Sequence, residues 1–135
     1  KAFIIFNLRG FSRNLRKEIT KKSKYYFYDT GIRNAIISNF NSLELRDDTG
    51  ALWENFLFIE RIKKQAYRGP RANNYFWRTW EQQEVDFVEE RGGTLFGYEF
   101  KWGKTTNTRQ PATWLEYDHS SYDFIGRNNL KGFVV

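Results

Sequence analysis

Gln83–Lys101 reads QEVDFVEERGGTLFGYEFK and predicts a β-hairpin. Two strand-like runs flank Gly92–Gly93, and glycine enters the positive-φ conformations of a two-residue turn without steric cost. If the residues on either side of the glycines pair, counting outward places Asp86 directly opposite Glu99. Lys101 then shares a face with Glu99, because strand side chains repeat every two residues. The hairpin therefore predicts two carboxylates and an ammonium group on one patch of sheet.

Such a patch is typical of sites that bind metal ions and phosphates. Two unpaired carboxylates about 5 Å apart repel by roughly 3 kcal/mol at an effective dielectric constant of about 20, and like charges opposite each other weaken a hairpin. Lys101, a bound cation or a shared proton must offset this repulsion. The alternative is a solvated hairpin in which Lys101 is only a salt-bridge partner, and a one-residue slip would send Asp86 to the other face.

Length and composition predict one domain with a single hydrophobic core in 135 residues. The mean hydropathy is −0.73, and no apolar run approaches the ~20 residues of a membrane-spanning helix. The absence of cysteine excludes disulfides and thiolate metal sites, and we expect a cytoplasmic location. The sequence contains no methionine, so we expect it to be part of a longer protein.

The formal net charge of +6 and the pI near 9.6 favour a polyanionic partner. We therefore expect contact with nucleic acid, most simply DNA. A basic face that docks on an acidic neighbouring domain is the alternative.

Hydrophobic patterning predicts a mixed sheet with helices on both sides. Besides the hairpin, we expect strands at Ala2–Leu8, Lys24–Tyr28, Asn74–Thr79 and Ser121–Ile125, and helices at Ser12–Lys22, Gly31–Phe40, Gly50–Ala66 and Pro111–Tyr117. Lys24–Tyr28 (KYYFY) reads as fully buried.

The longest helix, Gly50–Ala66, has Asp48 or Thr49 as its N-cap. Its apolar stripe is expected to run along one side, and the periodicity places Glu54 on the polar side with Arg61, whereas Glu60 lies nearer the stripe. The stripe comprises Leu52, Trp53, Phe56, Leu57, Ile59 and the stem of Lys63.

This order of elements resembles the restriction-endonuclease-like PD-(D/E)XK nuclease fold. More narrowly, the chain resembles the C-terminal domain of unknown function that follows the ATPase module in bacterial and archaeal AAA-type ATPases. Four segments carry the resemblance: YFYDTGIRNAI at Tyr26–Ile36, GALWENFLFIERIK at Gly50–Lys63, YFWRTWEQQEVDFV at Tyr75–Val88 and LFGYEFKW at Leu95–Trp102. The resemblance implies a single nuclease-like domain over residues 1–135, with residues 1–8 as the end of an upstream winged-helix or ATPase part.

The resemblance also assigns a site. It makes Asp86 the central acid, Glu99 the second acid, Lys101 the motif lysine and Glu54 the acid of the first helix. Glu84 shares a face with Asp86 and is a further candidate ligand. The proline that names the motif is absent, because Val85 precedes Asp86.

In such a site, Asp86, Glu99 and Glu54 would hold Mg²⁺ or Mn²⁺, which prefer carboxylate oxygen. The metal would activate a water and stabilise charge on the phosphodiester, while Lys101 orients the water or neutralises the phosphate. Arg78 would contact the backbone phosphate.

Two functions follow from the sequence as expectations. The first is metal-dependent cleavage of nucleic acid alongside an ATPase module of the parent chain. The second is a non-catalytic module that binds nucleic acid or protein and positions the ATPase. We expect no ATPase activity from this chain, because Gly103-Lys104-Thr105 resembles only the tail of a P-loop and bulky residues precede it.

Overall fold

The computed structural model describes residues 4–13, 18–19, 21–104 and 109–135. Its strands are β1 Ile5–Gly10, β2 Ser23–Phe27, β3 Asn73–Arg78, β4 Glu84–Arg91, β5 Thr94–Phe100 and β6 Ser120–Ile125. Its helices are α1 Thr30–Ile36, α2 Thr49–Arg68 and α3 Leu130–Val134, with short 3₁₀ segments at Leu43–Leu45 and Ala112–Glu116.

The six strands form one mixed sheet in the order β2-β1-β3-β4-β5-β6. The β1–β3 and β5–β6 pairs are parallel, and the other three pairs are antiparallel. The expected mixed α/β architecture is therefore confirmed.

Two expectations extend beyond the described residues. Ala2 and Phe3 of the first expected strand lie outside them, as do residues 14–17 and 20 of the helix expected at Ser12–Lys22. The described part of that second segment includes Glu18, which forms an isolated antiparallel bridge with Thr79. In the part of the chain that the structure covers, no helix is long and apolar enough to cross a membrane.

The predicted hairpin is present with the predicted turn. Arg91 faces Thr94 across Gly92 and Gly93, whose φ angles are 56° and 83°. Such angles favour glycine, because a Cβ atom makes the left-handed region strained. The backbone register runs from this turn to the Phe87–Tyr98 pair.

A β-bulge in β4 changes what the hairpin presents. Tyr75 of β3 pairs with Val88, but Trp77, two residues later, pairs with Val85, so β4 carries one extra residue. A bulge interrupts the alternation of side chains. As a result, Phe87 and Asp86 both lie on the side of the sheet that packs against α2.

Two hydrophobic clusters lie on opposite faces of the sheet. The first packs under α2 and α3 and includes Leu57, Phe58, Phe76, Phe87, Phe100 and Phe133. The second packs under the 3₁₀ helix Ala112–Glu116 and includes Phe11, Trp77, Val85, Val88, Leu95 and Trp114. One face is thus covered mainly by α-helices and the other by a short aromatic-rich segment.

Helix α2 begins after the N-cap residue Asp48, as expected, but its buried face differs from the predicted stripe. Phe56 is exposed, whereas Arg61 is buried and donates to the carboxylate of Glu89 from Nε (2.5 Å) and Nη2 (3.0 Å). The expectation that Arg61 lies on the polar, solvated side was wrong. A helical pattern cannot reveal that a buried charge has a partner 28 residues away on β4.

Two smaller expectations are also corrected, and one helix was not predicted. β2 is an edge strand in which only Tyr26 is buried, so the segment is not fully buried. The helix expected at Pro111–Tyr117 is the 3₁₀ helix Ala112–Glu116. Helix α3, which the sequence pattern did not predict, buries Phe133.

Candidate functional site

Three carboxylates converge on the ammonium group of Lys24. Its Nζ lies 3.0 Å from Oε1 of Glu54, 2.9 Å from Oε1 of Glu84 and 3.9 Å from Oδ1 of Asp86. Lys24 comes from β2, Glu54 from the first turns of α2, and the other two acids from β4. We call these four residues the acid cluster.

Two contacts hold α2 beside β2 at this point. The side-chain amide of Asn55 accepts from the Phe27 N–H and donates to the Phe27 carbonyl, both at 2.8 Å. The Tyr26 hydroxyl donates to Oε1 of Glu54 at 2.5 Å. Burial and then the charge of Glu54 raise the pKa of Tyr26, so its hydroxyl stays protonated and donates.

Asp86 is the most strongly perturbed acid of the cluster. Burial first, and then the negative charge of Glu54, raise the pKa of Asp86 to about 7. Lys24 and the Phe100 N–H, which donates to Oδ2 of Asp86 at 2.9 Å, oppose this rise without cancelling it. The carboxyl of Asp86 therefore changes charge near neutral pH.

The pKa values of Lys24 and Glu84 are also shifted, and in opposite directions. Burial alone would lower the pKa of Lys24, but the charges of Glu54, Asp86 and Glu84 raise it overall. Burial opposes ionisation of Glu84, yet Lys24 and Arg78 lower its pKa. Arg78 contacts Oε1 of Glu84 at 3.1 Å.

Glu99 belongs to a second, neighbouring group. Its Oε1 lies 2.5 Å from Nζ of Lys101, and its Oε2 accepts a hydrogen bond from the Tyr122 hydroxyl. A Cβ atom on Gly97 would meet Trp114 and Val85, so Gly97 faces the second hydrophobic cluster. Glu99 follows Gly97 by two residues in β5 and takes the same face.

The three acids and the lysine that the resemblance assigns are therefore brought close, but not onto one patch. Glu54 and Asp86 meet at Lys24 on the α2 side, whereas Glu99 and Lys101 pair on the other side of the sheet. The bulge explains the difference, because it turns Asp86 toward α2.

The charge of Asp86 still acts on Lys101 and Tyr122 of the second group. The hydrogen bond to Glu99 raises the pKa of Lys101, and burial lowers it. The charges of Glu99, Asp86 and Glu84 raise it further, so the pKa of Lys101 is raised overall. The pKa of Tyr122 is raised as well. Burial is the largest cause, and the hydrogen bond and charge of Glu99 and then the charge of Asp86 add to it.

Lys24, Tyr26 and Tyr122 were not predicted as members of the site. A lysine at the start of the aromatic run KYYFY was the available signal, because a partly buried cation on such a strand requires a partner. With Lys24 at its centre, the acid cluster is not arranged as a metal cage. Within the described ranges, no group of three or more His, Cys, Asp or Glu side chains is placed to hold a metal ion.

Comparison with protein families gives two matches. Residues 49–131, more than half of the chain, match the family described as Domain of unknown function (DUF4143), which is associated with AAA-type ATPases. Residues 1–43 match a second, described as Domain of unknown function (DUF8612).

Two curated relatives are uncharacterized proteins of Mycobacterium bovis and Mycobacterium tuberculosis. Each is 29% identical over 102 residues, which are 74% of this chain and 22% of the relative. The chain thus spans about a fifth of the length of these relatives. No solved structure matches the chain.

Proposed function

The chain belongs to the DUF4143 family, and from the geometry of its acid cluster we propose that it is a restriction-endonuclease-like domain that hydrolyses phosphodiester bonds of nucleic acid with Mg²⁺ or Mn²⁺. The proposal places the site between α2 and the β4–β5 hairpin. Asp86, Glu54 and Glu84 hold the cation there. Glu99 and Lys101 serve the substrate, which we expect to be DNA, from the other face at the end of β5, where the charge of Asp86 still acts on Lys101.

One observation carries the proposal, namely the excess of negative charge around Lys24. A single ammonium group faces three carboxylates within 3.9 Å, and the pKa of Asp86 rises to about 7 as a consequence of burial and Glu54. Three acids face two bases, Lys24 and Arg78, and this surplus of acids fits a site that exchanges its cation.

The donor set fits a hard divalent cation in chemistry. Glu54, Glu84 and Asp86 supply carboxylate oxygens, which Mg²⁺ and Mn²⁺ prefer. Lys24 marks the point where these oxygens converge, so its ammonium group must withdraw for a cation to bind. When bound, the cation would lower the pKa of a water molecule and neutralise charge on the phosphodiester.

The other side chains have separate roles in this proposal. Lys101 places its positive charge beside the phosphate, where charge develops during hydrolysis. Glu99 orients Lys101 through their 2.5 Å contact and is itself fixed by Tyr122. Arg78 reaches the phosphate backbone once Glu84 turns to the cation.

Cleavage of supercoiled plasmid and single-stranded DNA tests the proposal directly. With Mn²⁺ the chain should cut, and Asp86→Asn should reduce cutting to the level seen with EDTA, while Lys101→Ala reduces the rate by about 10²–10³-fold. Asparagine still accepts from the Phe100 N–H, so the fold is preserved. Asp118→Asn, which changes an exposed acid before β6, is the matched control. Equal cutting by Asp86→Asn and Asp118→Asn would refute the assignment.

A non-catalytic module that binds nucleic acid or protein is the second candidate. The position of Lys24 favours it, because this ammonium group already neutralises part of the acid cluster. Glu99→Gln separates the candidates, since it keeps an acceptor for Tyr122 and removes one charge. Cleavage should be lost and binding retained if the domain is a nuclease, whereas a binding module has no cleavage to lose.

The family association supports a wider proposal for the parent protein. In it, this domain acts with an ATPase module elsewhere in the chain, in the cytoplasm of a bacterium. The absence of cysteine supports the compartment.

A further inference from the structure

A groove of about 820 Å³ lies beside the Glu99–Lys101 pair. It is formed by the chain that leaves β5 and by the turn that follows β6. Its lining includes Lys101, Trp102, Lys104, Phe124, Arg127 and Asn128.

The charge of the groove is positive. Lys101, Lys104 and Arg127 line it, and none of the described residues that line it is acidic. Glu99 engages Lys101, but among the described residues none of Lys104, Arg127 and the Asn128 amide has a hydrogen-bond or ion-pair partner. Two cations and an amide are thus available to phosphate oxygens.

Aromatic surface accompanies these cations. The guanidinium carbon of Arg127 lies 4.8 Å from the centre of the Trp102 ring, and both Trp102 and the nearby Phe124 are half-buried. A guanidinium plane or an aromatic ring offers a stacking surface to a nucleobase. Basic residues with interleaved aromatic surface are the usual arrangement of a single-strand binding groove.

We propose that this groove binds single-stranded nucleic acid, with phosphates on Lys104 and Arg127 and an unpaired base against Arg127 and Trp102. The inference rests on the proposed function for its role, because Lys101 lines the groove and also serves the proposed cleavage site. The substrate class is then a nucleic acid with an unpaired segment next to the scissile phosphate. A fully paired duplex keeps its bases stacked inside the helix and cannot use the aromatic surface.

Binding without cleavage tests the groove separately from the nuclease. Fluorescence anisotropy with EDTA present, at about 50 mM salt, would compare labelled oligo-dT, oligo-rU and duplex DNA of about 15 nucleotides or base pairs. We expect either single strand to bind about 10-fold or more tightly than the duplex, and the two single-stranded arms distinguish DNA from RNA.

Two double variants with the same charge change provide the comparison. Lys104→Ala/Arg127→Ala should weaken single-strand binding about 10-fold and reduce the slope of log affinity against log salt by about 1.4, that is, about 0.7 for each phosphate contact. Lys21→Ala/Arg68→Ala, at exposed positions outside the groove, should leave binding within about twofold. Arg127→Lys keeps the charge but loses the planar stacking group, and should weaken binding by about 5-fold.

Equal losses in both double variants would mean diffuse electrostatic attraction and would overturn the groove assignment. Duplex binding as tight as single-strand binding would overturn the substrate class. If the unaltered chain binds single strands in the groove but does not cleave them with Mn²⁺, the proposed hydrolysis would be overturned. The groove assignment would stand.

Discussion

The negative charge of Asp86 is unfavourable for stability but is required by the proposed function. Its carboxylate is buried beside Glu54 and Glu84 with a single lysine among them, so its charged form is disfavoured and its pKa rises to about 7. A residue selected for stability alone would be neutral at this position. Sites that bind or react commonly keep such an unfavourable charge.

The sign of the pH dependence follows from this pKa. The folded chain holds a proton on Asp86 up to about pH 7, whereas the unfolded chain loses it near the ordinary value of 3.8. The folded state thus binds more protons between these values, so this group's stabilising contribution is complete below about pH 4 and is lost as pH rises through about 7.

We predict that Asp86→Asn stabilises the protein at about pH 8 but not at about pH 4. The expected gain in the free energy of unfolding is about 2–4 kcal/mol at the higher pH, because asparagine mimics the protonated form. Urea denaturation of both proteins across this range measures the difference. A difference that does not vary with pH would contradict the raised pKa.

At the scale of elements, the sequence predicted the hairpin because its turn chemistry is local. Gly92 and Gly93 alone fix the turn, and the turn fixes the register as far as the Phe87–Tyr98 pair. The bulge was not predicted, because it depends on pairing with β3. The adjacent apolar residues Phe87 and Val88 were a signal, since they break strict alternation.

Other features were not predicted from the sequence, most of them because they depend on contacts between residues that are distant in the chain. Arg61 reads as a polar helix position until β4 supplies Glu89, and Lys24 reads as one of many basic residues until three acids surround it. Helix α3 has only five residues, too few to establish a helical period. Counting outward from the turn identified Asp86, Glu99 and Lys101, and the family pattern added Glu54. The division of these residues between two faces came only from the structure.

Close packing across β5 gives a prediction at this scale. A Cβ atom on Gly97 would lie 3.0 Å from the Trp114 side chain and 3.1 Å from Val85, whereas Gly132 in α3 has open space around it. Gly97→Ala should therefore cost about 1–3 kcal/mol of unfolding free energy, and Gly132→Ala should be neutral or stabilise by up to about 1 kcal/mol. Urea denaturation measures both, and equal effects would contradict the close approach of Trp114 to β5.

For the whole molecule, one sheet joins the segments matched by the two families. β1 and β2 lie within residues 1–43, and β3 to β6 lie within residues 49–131. The acid cluster spans this boundary, because Lys24 comes from the first segment and Glu54, Glu84 and Asp86 come from the second. The ammonium group of Lys24 in the first segment thus neutralises part of the negative charge of the three acids in the second segment.

Calorimetric titration with Mn²⁺ at about pH 8 tests whether the acid cluster exchanges Lys24 for a divalent cation. We predict a single site in the unaltered chain, with affinity that rises as pH passes about 7 because Asp86 must lose its proton. Lys24→Met should tighten binding by at least about 10-fold, since no ammonium group remains to be displaced. Asp86→Asn should abolish binding, and Asp118→Asn should not change it. Absence of binding in the unaltered chain and in Lys24→Met, or unchanged binding in Asp86→Asn, would contradict the proposed cation site.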